Sequence, residues 1–253
     1  MSARVQVTCI GTGEAFDPDL PNTSLLYQGR RTLLLDCGYS VPEAFWRQSR
    51  DPDLLDGVYL SHRHADHSFG LPGLLYWMHL AGRRRPLVLL GGPELEPWVS
   101  ELLDFAYPGA FDTRFFPIER RALVPGHADS FGPLCLRTAV SQHGVVNTAL
   151  AIEDAGHRLC YSGDGAPTPE TRELYAGATV LVHECFAMSQ PPAGHADAAT
   201  LLAMADPLRV GTLALVHVSR DAKSGVRDLV TRSNPRCRTI VPGVGERLSL
   251  MPG

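Results

Sequence analysis

Four side chains able to ligate a metal, His62, His64, Asp66 and His67, crowd into six consecutive positions directly after the apolar run 57–60. Imidazole nitrogens and carboxylates are the ligand types that suit zinc, manganese or iron. Alternate residues of an extended backbone point to one side, so His62 and His64 present both rings to the same place. Asp66 and His67 then fall at the turn into the next helix, displaced enough to serve a second ion beside the first. A polar loop with Asp66 as a helix cap would account for one such residue. It does not account for four at this spacing.

The remaining chain alternates strand and helix signals. Short runs rich in Val, Leu and Ile read as strands at 5–10, 32–35, 57–60, 87–90, 134–140, 149–152, 159–161, 179–182, 212–216 and 238–241. Helix-like stretches lie at 42–48, 71–80, 94–105, 169–175, 196–205 and 221–231, several of them opened by Pro or Asp. Turns such as Gln28-Gly29-Arg30-Arg31 predict hairpins, and therefore mixed rather than purely parallel sheets. With no repeat, low-complexity segment or long linker, residues 1–253 read as one α/β domain, and 44% hydrophobic content gives it a sizeable core. The polar stretch 188–194, with two prolines, reads as a surface loop or the rim of a site. Helix 71–80 reads as core packing, with a pocket wall or an interface as its other uses.

Charge and cysteine usage exclude other classes. A net charge of −4 leaves no strong electrostatic footprint for nucleic acid or an anionic membrane. The one tight basic run, Arg83-Arg84-Arg85, reads as a solvated turn. Six dispersed cysteines without a Cys-x-x-Cys pair suggest buried thiols, neither a zinc ribbon nor a disulfide framework. No apolar run approaches the ~20 residues of a membrane span, and the N-terminus has no signal-peptide pattern, so the expectation is a cytoplasmic protein. Gly11 and Gly13 lack the third glycine before a clear helix that a dinucleotide loop requires.

The motif His62-x-His64-x-Asp66-His67 resembles the signature of metallo-β-lactamase-fold hydrolases. The resemblance continues in order through His143 in Ser-Gln-His-Gly, Asp164 in Ser-Gly-Asp-Gly and His217 in Leu-Val-His-Val. It implies that His62, His64 and His143 hold one divalent ion, that Asp66, His67 and His217 hold another, and that Asp164 bridges them. Zinc is the expected metal, with manganese or iron as alternatives. The implied fold is a four-layer αβ/βα sandwich of two mixed sheets flanked by helices, with the metals at one edge between the sheets.

Segments 9–15 and 34–38 are similar to the first hairpin region of the ribonuclease Z branch. Val182-His183-Glu184-Cys185-Phe186 and Gly194-His195-Ala196-Asp197 resemble two further elements of that branch, although Cys185, Ala187, Ala196 and Asp197 depart from its usual pattern. The candidate catalytic set is therefore Asp66, His195 and Glu184, with His195 as proton donor to the leaving group and His183 and Glu184 as supports that orient a ligand or His195. A capping or surface role for His195 and a structural role for Glu184 stay open. His79, His127 and His157 match no motif position and read as structural or surface groups.

Two cations sharing a water would make it nucleophilic near neutral pH and clamp phosphoryl oxygens, so the expected reaction is hydrolysis of a phosphodiester. Only 20 residues separate His143 from Asp164, too few for the RNA-gripping arm common in ribonuclease Z. The favoured substrate is therefore a small or cyclic phosphodiester. A transfer RNA 3′-end endonuclease is the alternative, followed by a lactone, thioester, sulfate ester or lactam hydrolase. No membrane partner is expected, and analogy with relatives suggests a homodimer.

Overall fold

Period-two burial builds the frame of this protein. On successive strands Leu25, Tyr27, Leu33, Leu35 and Tyr59 enter one apolar cluster, while their neighbours Leu26, Leu34, Val58 and Leu60 enter another. Strands apolar on both faces must be covered on both, which requires layers above and below each sheet. The computed structural model describes residues 5–112, 114–233 and 236–250.

The elements run β1 (Gln6–Gly11), β2 (Ser24–Gln28), β3 (Thr32–Leu35), α1 (Val41–Gln48), β4 (Gly57–Leu60), α2 (Ala65–Ser68), α3 (Leu71–Leu80), β5 (Leu87–Gly91), α4 (Leu95–Ala106) and β6 (Ile118–Ala122). They continue through β7 (Ala128–Phe131), β8 (Leu134–Val140), β9 (Thr148–Asp154), β10 (His157–Tyr161), α5 (Pro169–Tyr175), β11 (Val180–Glu184), α6 (Ala198–Ala205), β12 (Thr212–Val216), α7 (Lys223–Arg232), β13 (Arg238–Ile240) and β14 (Arg247–Ser249).

Two seven-stranded sheets result, in the orders β14-β1-β2-β3-β4-β5-β6 and β13-β12-β11-β10-β9-β8-β7. Both are mixed. β1, β2 and β3 are antiparallel and β3 through β6 parallel, while β7 through β10 are antiparallel and β10 through β13 parallel. The central cluster joins residues of both sheets, among them Val7, Leu33, Leu150, Tyr161 and Val216. Helices α1, α3 and α4 cover the outer face of the first sheet, and α5, α6 and α7 that of the second. The architecture is the four-layer sandwich of two mixed sheets flanked by helices that the sequence implied.

Four strands are additional to the sequence reading. β2 precedes the predicted hairpin turn, and β6, β7 and β14 are short, with β6 and β14 carrying charges along a sheet edge. α6 begins at Ala198 rather than at residue 196, because Asp197 caps it and accepts a hydrogen bond from the Thr200 amide.

The solvated turn expected at residues 83–85 needs a correction. Arg83 is fully buried and donates to the carbonyl oxygens of Pro52, Leu55, Arg85 and Pro86 at 2.8–3.0 Å. Its guanidinium satisfies four acceptors that would otherwise be stranded where α3 turns into β5. Arg84 and Arg85 remain exposed. The core role of α3 holds, since Leu71, Leu74, Leu75 and Met78 are buried under the first sheet. No helix among the described residues is long and apolar enough to cross a membrane.

Candidate metal centre and active site

The ligand-bearing loops leave the C-terminal ends of β4, β8, β10 and β12. β8, β10 and β12 run in one direction, because β9 is antiparallel to both β8 and β10 and β10 through β12 are parallel. Their ends therefore open on one edge of the second sheet, facing the loop that follows β4.

Hydrogen bonds fix the ring orientation in that loop. The Ser61 hydroxyl donates to Asp36 Oδ2 at 2.7 Å, so its 3.0 Å contact with His62 Nδ1 is one in which the imidazole donates. His67 Nδ1 lies 2.7 Å from the same carboxylate. The opposite nitrogens, His62 Nε2 and His67 Nε2, have no hydrogen-bond partner although both are buried. His64 closes the extended stretch at the start of α2, whose single turn presents Asp66 and His67.

The second sheet supplies the facing groups. His143 follows β8, and its Nδ1 donates to the Gly194 carbonyl at 2.7 Å while Nε2 lies 3.2 Å from His64 Nδ1. Asp164 sits between Gly163 and Gly165, whose φ values of 59° and 122° only glycine adopts freely. His217 follows β12 in the left-handed region at φ 54° and donates its amide to the Thr12 carbonyl at 3.0 Å. A histidine held there is strained backbone tolerated in exchange for side-chain position.

Two donor groups form: His62, His64 and His143, and Asp66, His67, Asp164 and His217, with donor atoms inside each group within 4.8 Å of one another. Asp164 also groups with His143 and His195, which puts it between the two sets. All seven residues expected to be ligands are therefore brought together.

The charge state matches a cation site. Burial works against ionisation of Asp164, yet His217 and His67 hold its carboxyl well below the usual carboxylate range. Asp66 is likewise depressed, with burial opposing and His217 and His67 favouring its charge. His67 Nε2 approaches Asp66 Oδ2 and Asp164 Oδ1 at 3.3 Å without hydrogen-bond geometry. Asp164 Oδ1 and His217 Nδ1 are also buried without partners. Buried polar atoms left unpaired around two carboxylates are costly unless an ion engages them, and nitrogen with carboxylate oxygen is the donor chemistry of a divalent transition metal. The residues fit metal ions.

Behind the cluster, Glu184 is fully buried at the end of β11. Its Oε1 accepts from the amides of Gly165 and Ala196, both at 3.0 Å, and lies 3.1 Å from His195 Nδ1. Burial lowers the basicity of His195, but its contact with Glu184 and the nearby Asp164 raise the pKa above the ordinary histidine value. His195 is thus a partly exposed imidazole held by a buried carboxylate beside Asp164. Phe186 lies against it, with ring centroids 4.7 Å apart.

His183 departs from the sequence reading. Alternation along β11 turns it away from Glu184, onto the side of Leu181, where it meets the Tyr175 ring and donates to the Glu184 carbonyl at 2.7 Å. It makes no contact with His195 among its described partners. Asp36 was not singled out from the sequence as an individual site residue. Fully buried after β3, it accepts from the Ser61 amide, the Ser61 hydroxyl, His67 Nδ1 and the Tyr161 hydroxyl, at 2.6–2.7 Å. A carboxylate directly after three leucines was the available signal.

Residues 5–230 match the family model described as anti-Pycsar protein Apyc1. The uncharacterized protein ML1173 of Mycobacterium leprae is 31% identical over 224 residues, covering 85% of this chain and 78% of that protein. Ribonuclease BN of Enterobacter sp. strain 638 is 26% identical over 261 residues, covering 83% and 84% respectively. The crystal structure of the metallo-β-lactamase fold protein YhfI from Bacillus subtilis superposes with a TM-score of 0.82 at 22% identity, covering 98% of this chain and 99% of that one.

Proposed function

Since the chain belongs to the anti-Pycsar protein Apyc1 family and carries the metallo-β-lactamase fold, we propose that it is a binuclear phosphodiesterase of small or cyclic phosphodiesters. Metal-dependent hydrolysis is the class of reaction. The phosphodiester, the pair of ions and zinc as their identity, with manganese or iron in its place, are our reading.

One observation carries it: Asp164 stands between two histidine-rich donor groups and, with His143, shares a third group with His195. On this reading His62, His64 and His143 hold one ion, Asp66, His67 and His217 the other, and Asp164 both. Bound there, the cations supply Lewis acidity that neutralises phosphate charge and makes water nucleophilic near neutral pH. The chain's own groups do the rest. Asp66, ionised at neutral pH, accepts a hydrogen bond from the attacking water and orients it. His195 keeps Nδ1 on Glu184, so its Nε2 proton is the one delivered to the departing oxygen. Glu184 touches no substrate in this scheme; it holds His195 in position.

The tight β9–β10 connection supports a small substrate. Ala155 and Gly156, with φ values of 50° and 84°, close it as a two-residue hairpin turn with no room for an RNA-binding arm.

Metal content should approach two ions per chain after reconstitution with zinc or manganese. The loaded protein should hydrolyse bis(p-nitrophenyl) phosphate and cyclic nucleotides, and Asp66→Ala should abolish both activities. Cleavage of a precursor transfer RNA in preference to cyclic nucleotides would favour the ribonuclease reading instead. Two bound ions without any phosphodiester turnover would move the substrate to carbonyl or sulfate esters.

A further inference from the structure

Two groups of the site come from one loop, residues 185–197 between β11 and α6. Its Gly194 carbonyl orients His143, and the next residue is His195. The loop is closed at its neck, where Ala187 bridges to Asp197 and the amides of Ala198 and Ala199 donate to the carbonyls of Ala187 and Met188 at 3.0 and 3.2 Å. Beyond the neck, residues 188–190, 192 and 193 are exposed. Glu184 and His143 hold the site end of this loop, through the Ala196 amide, His195 and the Gly194 carbonyl, which leaves its solvated half to be held by other contacts.

Met188 provides a contact of that kind. Its thioether lies across the backbone of Gly225 in the first turn of α7, so closely that a β-carbon on residue 225 would overlap Sδ. α7 is itself tied down at this end: Lys223 pairs with Asp17, whose side chain is covered, and Arg220 just before the helix pairs with the buried Glu14 at 3.0 Å. Gly225 has no left-handed φ to justify a glycine, and helices favour almost any other residue there. Room for Met188 is the reason visible in the packing.

We propose that Met188 seated on Gly225 is the latch that positions this loop, making both of them positioning residues for the site through His195 and the Gly194 carbonyl. The catalytic part rests on the phosphodiesterase reading above. The latch itself does not.

The test compares wild type with Gly225→Ala and Met188→Ala, each loaded with zinc. Alanine suits the helical backbone at 225, so the melting midpoint of Gly225→Ala should equal or exceed that of wild type. Amide exchange within 187–197 should nevertheless speed up at least tenfold in both variants, and zinc affinity should fall several-fold as His143 loses its fixed acceptor. Turnover should divide by leaving group. A cyclic nucleotide releases an alkoxide that needs a proton, whereas bis(p-nitrophenyl) phosphate releases a phenolate that does not. The ratio of the two rates should therefore drop about tenfold. Unchanged exchange in both variants overturns the latch. Faster exchange with an unchanged rate ratio overturns its link to His195. If wild type turns over neither substrate, the phosphodiesterase reading fails, and exchange with zinc affinity still decides the latch.

Discussion

At the scale of single residues, Asp36 acts on two of the candidate ligands at once. One carboxylate receives hydrogen bonds from Ser61, His67 and Tyr161, and through Ser61 it also sets the tautomer of His62. A carboxylate facing the far nitrogen of a ligating imidazole fixes the ring and raises its basicity, and losing such a partner costs about 10–100-fold in metal affinity. Asp36→Asn should show a loss of that size in competition against a chromophoric zinc chelator. Its fold should survive, because asparagine tolerates the φ of 60° found here. Wild-type affinity in the variant would mean that His67 needs no charged partner. The candidate ligands were legible in the sequence, because four of them stand in one strand-to-helix turn. Asp36 lies 31 positions from His67, and its role exists only once β3 and β4 pair side by side.

Among the elements, what escaped the sequence was what owes its shape to neighbours. β6 reads Ile-Glu-Arg-Arg-Ala and β14 Arg-Leu-Ser, with too little apolar alternation to announce a strand; each borrows its pairing from an adjacent edge. Arg83 escaped for a related reason, since the carbonyls it serves converge only after folding. The hairpin turn between β2 and β3 was legible, but its docking was not. Asp154, at the end of β9, accepts from the Tyr27 hydroxyl at 2.7 Å and the Arg30 amide at 2.9 Å, and pairs with the Arg30 guanidinium. Burial opposes its charge, while Arg30 and Tyr27 outweigh burial and lower its pKa. A depressed folded-state pKa adds stability that is complete above the unfolded carboxylate's value, near 4, and is lost as pH falls through the folded value. Asp154→Asn should therefore destabilise by about 1–3 kcal/mol at pH 7. The gap to wild type, read from urea midpoints, should shrink below pH 4; a gap independent of pH would assign the effect to packing.

Across the whole molecule, the two sheets meet through an apolar core and through polar ties at particular points. The Tyr27–Asp154, Tyr59–Thr148 and Tyr161–Asp36 hydrogen bonds each cross from one sheet to the other. The histidine and aspartate cluster is a further crossing, since the loop after β4 belongs to the first sheet and His143, Asp164 and His217 to the second. Ions bound there, as proposed above, would add cohesion between the halves. Stripping them with a chelator should lower the melting midpoint, and free zinc at a thousand times its Kd should restore about 4 kcal/mol. A midpoint indifferent to chelation would mean that the core alone holds the sheets together. The same division fixes when the site can exist during synthesis. On the proposed assignment, neither donor group is complete in the first 142 residues, and the second closes only at His217, late in the 253-residue sequence. On that assignment a nascent or truncated chain would display His62, His64, Asp66 and His67 and still be inert, and hydrolytic activity would begin only once the second sheet has been made and has docked.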